Sequence, residues 1–359
     1  MKIDFYISSL SGGGAEHVLR NIASNFAGRG IDVGITSYEK RPQFYMADPR
    51  AKVYKVDYTK RNKIAELLLD LRATRRHLKE RKADVAVSFL SRCNFMLILT
   101  RMFTKTRVIV CDRNNLLRKY PRYIFAITCF LYRFADAICV QTNEVKSFYP
   151  AYLQKKLYVL ENPLDFEEMN RQCEGQTIEK ENAVISVGRL EAQKDFTTLI
   201  CAFQEIARKY PDWKLKIYGQ GEKKQELESL IRRKNLEQNV LLCGVTHTPF
   251  LEMKRAEIFV LSSFYEGFPN VLCEAMHAGL PCISTRCECG PSELIEDGKN
   301  GFLVPVGDRK LLSEKMEALI LDEKKRRNMG KAAMQSTERL ELNKISGKWL
   351  EMVMAVKGD

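Results

Sequence analysis

The chain of 359 residues is 45% hydrophobic, 29% charged and 9% aromatic, which excludes disorder, a collagen-like rod, a coiled coil and a small disulfide scaffold. Its longest apolar run, near Ile124–Tyr132, falls short of the ~20 residues that span a bilayer and argues against a polytopic membrane protein. The net charge of +13 is lopsided: residues 1–160 hold 29 Lys and Arg against 13 Asp and Glu, and the remainder holds 29 against 32. The first half therefore suits an anionic partner, whether nucleic acid, an anionic bilayer or a phosphorylated substrate.

Met1 to Gly14 does not read as a signal peptide, because its apolar run is short and Asp4 interrupts it. Ile3–Ser9 is a predicted strand. Ala15, Val18, Leu19, Ile22, Ala23 and Phe26 then follow a helical rhythm that Gly28 and Gly30 end. Further strands are predicted at Ile31–Ser37, Asp84–Leu90, Thr106–Cys111, Asp136–Gln141 and Lys156–Glu161. Alternation of this kind reads as parallel strands with helical crossovers. Polar, aperiodic Arg171–Asn182 is the expected linker. A second alternation places strands at Ala183–Val187, Leu215–Tyr218, Val240–Cys243, Ile258–Ser262, Pro281–Thr285 and Gly301–Val304. An amphipathic helix, about Leu340–Val356, closes the chain. The length suits two domains, so we expect two doubly wound α/β domains with a cleft between them, binding ligands at the carboxyl ends of the strands. The eleven cysteines are scattered and odd in number, which reads as free thiols in a reducing cytosol. With four histidines and no CxxC pair, zinc is not expected.

Glycine turns and charged residues gather at the predicted strand ends. Ser11-Gly12-Gly13-Gly14 joins the first strand to the first helix, whose amides could receive a phosphate or carboxylate. It is neither GxGxxG nor a P-loop, which disfavours a nicotinamide site. Val187-Gly188-Arg189-Leu190 ends the first strand of the second half, and Lys194 follows; the two cations could hold a diphosphate, Arg as a fork and Lys as a point charge. Tyr218-Gly219-Gln220-Gly221 is another glycine turn. The most informative segment runs from Tyr265 to Glu274. Pro269 suits the first turn of a helix, so Glu266 lies in the loop and Glu274 on the helix. The amides of Phe268, Asn270 and Val271 would face an anion, and a carboxylate suits ribose hydroxyls.

Glu266 and Glu274 carry the Glu-x7-Glu spacing of retaining glycosyltransferases of the GT-B fold, and the chain resembles glycosyltransferase family 4. The matching stretches are SGGGAEHVLRNIA, ENPLD, SVGRLEAQKDF, IYGQGE, YEGFPNVLCEAMHAGLPCIST and GPSELIEDGKNGFLV. Within the family it is most similar to bacterial enzymes that extend polyprenyl-diphosphate-linked saccharides. The resemblance implies an N-terminal acceptor and membrane-facing domain (1–170), a C-terminal nucleotide-sugar domain (171–338) and a final helix (339–359) returning to the first. It implies that Arg189 and Lys194 neutralise the departing diphosphate, that Glu274 holds the ribose and that Glu266 contacts donor-sugar hydroxyls. Gly267, Phe268, Pro269, Asn270 and Val271 would line the sugar and phosphate, with Gly13, Gly14 and Gly219 allowing close backbone approach. It further implies a UDP-linked donor, front-face attack with retention, and no metal or other cofactor.

One position departs from the family. A histidine is usual after the strand ending in Cys111, where this chain has Asp112-Arg113-Asn114-Asn115. Arg113 cannot act as a base at neutral pH but can bind phosphate or a sugar hydroxyl of the acceptor. Two basic stretches, Lys60–Lys82 and Arg118–Phe134, suit the surface of an anionic bilayer at the cytoplasmic face; Ile64, Leu67, Leu68, Leu71 and Leu78 are expected largely on one face of the first. A nucleic-acid binder would use the same charge, but no module for that purpose is recognisable. An epimerase or a phosphorylase on a similar fold would release sugar isomers without an acceptor, or need a pyridoxal-phosphate lysine and a longer chain.

Overall fold

The structure, a computed structural model, describes residues 1–10, 13–38, 48–56, 63–102, 104–113 and 121–358. Ser11, Gly12, Lys60, Asn114, Asn115, Arg118 and Tyr120 of the stretches above lie outside them, as does the side chain of Ile64. The chain divides into two compact units, Met1–Pro163 with Leu340–Asp359, and Leu164–Arg339.

The first unit is built on a seven-stranded parallel sheet, ordered β3-β2-β1-β4-β5-β6-β7. Its strands are β1 (Lys2–Ile7), β2 (Asp32–Ser37), β3 (Lys52–Lys55), β4 (Val85–Phe89), β5 (Arg107–Cys111), β6 (Ala137–Val140) and β7 (Leu157–Val159). The inner strands are apolar on both faces because helices cover both sides: Val85, Val87 and Phe89 are fully buried, as are Val108, Ile109 and Val110. The covering helices include α1 (Gly14–Gly28), α2 (Lys63–Arg81), α3 (Ser91–Thr100), α4 (Arg122–Tyr132) and α5 (Asn143–Ser147). The winding reverses at β1, which pairs with β2 on one side and β4 on the other. The switch point at the carboxyl ends of β1 and β4 is where such sheets place ligands. Strand β3 was not anticipated: it is a short edge strand, mostly exposed and flanked by lysines, so it lacks the apolar run that marks the others.

Helix α2 corrects a second expectation. Its inward stripe is polar: Asp70 and Thr74 are buried with Leu78, and His77 and Arg81 are mostly covered. Asp70 pairs with Arg92, Thr74 meets the Tyr38 hydroxyl at 2.6 Å, and Arg81 binds Asp4 at 3.0 Å and Asp32 at 3.1 Å. Leu67 and Leu68 are exposed while Leu78 is buried, so these leucines do not form one apolar face. Buried ion pairs and hydrogen bonds do the anchoring that apolar contact would ordinarily do.

The second unit has a six-stranded parallel sheet, ordered β10-β9-β8-β11-β12-β13. These strands are β8 (Ala183–Val187), β9 (Lys214–Tyr218), β10 (Val240–Gly244), β11 (Ile258–Leu261), β12 (Cys282–Thr285) and β13 (Gly301–Val304). Between and around them lie α6 (Phe166–Arg171), α7 (Phe196–Lys209), α8 (Lys224–Arg233), α9 (Pro249–Arg255), α10 (Asn270–His277), α11 (Pro291–Leu294), α12 (Arg309–Leu321) and α13 (Glu323–Ser336). Helix α7 shows why these segments are helices. Asp195 caps it through the Thr198 amide. Phe196, Leu199, Ile200, Phe203 and Ile206 bury one stripe, and Arg208 and Lys209 complement the dipole at its end. Winding reverses between β8 and β11, which puts the switch point beside Gly188 and Ser262.

Helix α6 belongs with the second unit, ahead of the boundary expected after residue 170. Phe166 stacks on His277 at 3.7 Å between ring centroids, and the Gln172 side chain accepts the Phe250 amide at 3.0 Å. Residues 171–182 are accordingly tied to the second unit and are not a free linker. The last helix, α14 (Leu342–Lys357), belongs to the first unit. Glu341 caps its Asn343 and Lys344 amides, Asn343 bonds Asn25 of α1 at 2.8 Å, and fully buried Trp349 stacks on Phe89.

Candidate functional site

The switch point of the second unit collects most of the expected residues. Apolar β11 ends in Ser262 and Ser263, and the loop then carries Glu266 before α10 begins. Glu266 is 6% exposed, and a cation and a hydroxyl reach it: Lys194 Nζ lies 2.7 Å from Oε1, and Ser263 Oγ lies 2.5 Å from the same oxygen. Lys194 comes from the short 3-10 turn Ala192–Lys194 after β8. Two contacts stitch its segment to the Glu266 loop: Ser262 Oγ donates to the Lys194 carbonyl at 2.7 Å, and Gln193 Nε2 donates to the Tyr265 carbonyl at 2.8 Å. In return the Phe264 amide donates to the Gln193 carbonyl at 2.8 Å. A cation and a carboxylate from distant parts of the chain are thereby held in register, in a place with little water to screen them.

Glycines let the loops close on one another. Gly219 has φ +146, and a Cβ there would sit 1.9 Å from the Gly188 carbonyl oxygen. Its role in the structure is thus to let the β9 turn pack on the Gly188–Leu190 segment, with Leu190 donating to the Gln220 carbonyl at 2.9 Å. Arg189 itself is exposed and paired with Glu191 at 2.9 Å. Gly290, at φ +104, packs against Pro269 and Gly267 and fastens the Cys287-Glu288-Cys289 loop to the Glu266 loop. Burial, reinforced by the Glu266 charge, pushes the Cys287 thiol up to about 12, so it is held protonated as an inert neighbour.

Helix α10 starts at Asn270 with Pro269 as its N-cap, one position later than the sequence suggests. Phe268 and Pro269 are buried, whereas Gly267, Asn270, Val271 and Glu274 are partly exposed. The Asn270 amide is not open to an anion, because it donates to the Phe268 carbonyl at 3.0 Å. Glu274 sits in the second turn of α10, on the same helix that the Glu266 loop enters.

Two further groups lie at the carboxyl ends of the first sheet. Gly13 and Gly14 are exposed at the start of α1. The Gly13 amide is taken by the Glu16 carboxylate at 2.7 Å, and Glu16 also binds Ser9. The glycine turn is therefore braced from within. Arg113 follows β5 and is 7% exposed. Its Nη1 donates to Asn162 Oδ1 at 2.7 Å, and its guanidinium lies 4.4 Å from the Phe89 ring centroid and 5.3 Å from that of Trp349. Nε and Nη2 have no hydrogen-bond partner among the described residues. Beside it, buried Asp112 accepts from the hydroxyls of Tyr132 and Tyr149 and from Asn94. Burial raises the Asp112 carboxyl to about 6 against the pull of those donors.

Among the described residues no group of three His, Cys, Asp or Glu is placed to hold a metal ion, and no helix is long and apolar enough to cross a membrane. Sequence reasoning missed Ser262, Ser263, Gln193, Gly290, Asn162 and Trp349. A pair of serines after an apolar strand was the available clue to the first two, and the ENPLD stretch was the clue to Asn162.

Residues 12–168 match the model of Glycosyltransferase Family 4, and residues 170–336 match that of Glycosyl transferases group 1. The chain is 30% identical, over 99% of both chains, to a Campylobacter jejuni alpha-1,4-N-acetyl-D-galactosaminyltransferase named for GalNAc-alpha-(1->4)-GalNAc-alpha-(1->3)-diNAcBac-PP-undecaprenol. It is 27% identical to the amylovoran biosynthesis glycosyltransferase AmsD of Erwinia amylovora, over 95% of this chain and 96% of that one. Among solved structures, TarM of S. aureus, crystallised with UDP, superposes with a TM-score of 0.81 at 16% identity, covering 98% of this chain and 100% of that one. Anabaena HepE, crystallised with UDP and glucose, superposes with a TM-score of 0.79 at 19% identity, covering 98% of each.

Proposed function

The chain belongs to glycosyltransferase family 4 and is a GT-B glycosyltransferase, and from that premise we propose that it moves a hexose or N-acetylhexosamine from a UDP-sugar to a lipid-linked saccharide, with retention of configuration. The observation that carries the reading is the Lys194–Glu266 pair at the switch point of the second sheet, with Glu274 on the helix that follows. Relatives support the substrates: the Campylobacter enzyme is named for an undecaprenol-linked acceptor, and TarM and HepE were crystallised with UDP.

In this reading Glu274 accepts the ribose hydroxyls through its two oxygens. Lys194 and Arg189 take the charge that builds on the diphosphate as the glycosidic bond breaks. Lys194 is already buried against the Glu266 carboxylate, so binding exchanges a protein anion for a phosphate without desolvating that cation afresh, whereas exposed Arg189 gives up water as it leaves Glu191. Glu266 turns to the sugar hydroxyls, and the backbone at Gly267–Val271 borders the sugar, with the Asn270 amide closed to it. Acceptor attack comes from the face the diphosphate leaves, and the leaving phosphate receives the acceptor proton. No protein nucleophile, metal or other cofactor is assigned a part. In the first unit, Arg113 binds a phosphate or hydroxyl of the acceptor.

The same unit is proposed to rest on the inner face of the cell membrane. Tyr123, Ile127 and Phe130 of α4, with Phe134 beyond it, are exposed, as are Leu67 and Leu68 of α2 and Phe95 and Leu99 of α3. Helix α2 also exposes the basic residues Arg72, Arg75, Arg76 and Lys79. Aromatic and aliphatic side chains set in a basic surface match the headgroup layer of an anionic leaflet. The product would be a step in surface polysaccharide or glycan assembly.

Calorimetric titration with UDP, GDP and ADP, without added metal, tests the core of this reading. Wild type should bind UDP at micromolar affinity, and Glu274→Ala should weaken it at least 10-fold while leaving the melting temperature unchanged. Equal UDP binding by both proteins would remove Glu274 from the ribose.

A further inference from the structure

The Glu266 carboxylate is held in an unusual way. Both of its close polar contacts, from Lys194 at 2.7 Å and Ser263 at 2.5 Å, converge on one oxygen, Oε1. Ser263 is fully buried, and its own backbone is pinned: Thr285 Oγ1 of the neighbouring strand β12 donates to the Ser263 carbonyl at 2.6 Å. The hydroxyl therefore reaches Glu266 from a fixed strand end, not from a mobile loop. Lys194 is different. It is the tip of a long flexible side chain, and the reading above gives it a second partner, the donor diphosphate. When Lys194 swings to a phosphate, Ser263 remains the contact that fixes the plane of the carboxylate.

We propose that Ser263 is a positioning residue for the donor sugar: its hydroxyl locks Oε1 of Glu266 inward, so that Oε2 alone addresses a sugar hydroxyl during transfer. This rests on the role given to Glu266 above. Ser263 touches neither nucleotide nor sugar, and its effect is confined to steps in which Glu266 engages the sugar. Nucleotide affinity, which depends on Glu274, should be indifferent to it.

The test uses the full chain and three variants, Ser263→Ala, Ser263→Cys and Glu266→Gln. UDP affinity is read by calorimetry, and release of UDP by hydrolysis of UDP-N-acetylgalactosamine, or of whichever UDP-sugar wild type consumes fastest, with water taking the glycosyl group, is read in single turnover. Ser263→Ala should bind UDP within twofold of wild type and release UDP from the sugar donor roughly 10- to 100-fold more slowly. Ser263→Cys, a weaker and longer donor, should fall between them. Unchanged turnover in Ser263→Ala alongside a slow Glu266→Gln would overturn the assignment of Ser263 and leave that of Glu266 standing. Equal loss of UDP affinity and turnover in Ser263→Ala would also overturn it, since that is the mark of a packing role. Wild-type turnover by Glu266→Gln would sink the role of Glu266 itself, and this inference with it.

Discussion

Arg113 is the residue whose surroundings make least sense as architecture. A guanidinium packed between two aromatic faces with one hydrogen bond leaves two buried nitrogens, Nε and Nη2, without a partner among the described residues, and each such unmet group costs about 1–3 kcal/mol. Folded proteins keep such groups where function needs them. Arg113→Met has similar length, fills the aromatic sandwich and removes the unmet donors. It should therefore raise the midpoint of chemical denaturation while reducing transfer to a lipid-linked acceptor by 100-fold or more. Arg113→Lys restores charge without the planar fork and should recover little of the lost rate. A variant that is both destabilised and active would mean the arginine is a structural strut. The contrast with Lys194 is instructive: its charge is matched by Glu266, so its removal leaves a buried carboxylate held by Ser263 alone and should destabilise the fold.

At the scale of elements, two titrating groups oppose one another. Asp112, at the end of β5, is raised to about 6 by burial. A raised carboxylate favours the protonated fold, so the stability it contributes is complete below about pH 4 and is lost as pH climbs through 6. The loss is on the order of 3 kcal/mol. His277, at the end of α10, is lowered to about 4, by burial first and by the Lys254 charge second. The fold holds that ring neutral, so its contribution is complete above about pH 6.5 and is lost as pH falls through 4. Urea denaturation from pH 4 to 8 should separate them. Asp112→Asn should gain on wild type progressively from about pH 4 and level off above pH 6, and His277→Phe, which keeps a ring for the Phe166 stack, should gain progressively as pH falls from about 6.5 towards 4. Most strands were legible in the sequence because buried parallel strands are short apolar runs. Helix α2 was not legible in full, because its core-facing stripe is Asp70, Thr74, His77 and Arg81, and an apolar template looks past a polar anchor. Helix α6 was assigned to the wrong unit for a related reason: what ties it down is one aromatic–imidazole stack, which no local pattern announces. The places of Glu266 in a loop, Glu274 on the helix after it, and Arg189 and Lys194 past a strand end were legible in the sequence. Ser263 was not, since its meaning comes only from the oxygen it faces.

Over the whole molecule, the division of charge is the property that the sequence states most plainly and that no single element explains. The basic excess of residues 1–160 lies in the unit that also exposes Leu67, Leu68, Phe95, Leu99, Tyr123, Ile127, Phe130 and Phe134. Charge alone would draw the protein to any polyanion, and apolar exposure alone would make it aggregate. Together they specify a surface that is anionic outside and apolar beneath, with each basic residue near such a leaflet contributing about 1 kcal/mol. The two contributions have different salt dependence, and that separates them. Flotation with vesicles containing phosphatidylglycerol should carry wild type to the top at about 0.1 M salt, where charges are screened beyond ~10 Å. Replacing Tyr123, Ile127 and Phe130 together by serine should weaken flotation by 10-fold or more and leave a residual binding that vanishes at about 0.5 M salt, since screening acts on the charges alone. Replacing Arg72, Arg75 and Lys79 by glutamine should do the reverse, weakening capture yet leaving what remains resistant to salt. Because α4 and α2 lie outside the second unit, UDP affinity should be the same in all three proteins. A wild type that stays at the bottom of the gradient with anionic vesicles would overturn the membrane assignment and leave the chemistry of the second unit untouched.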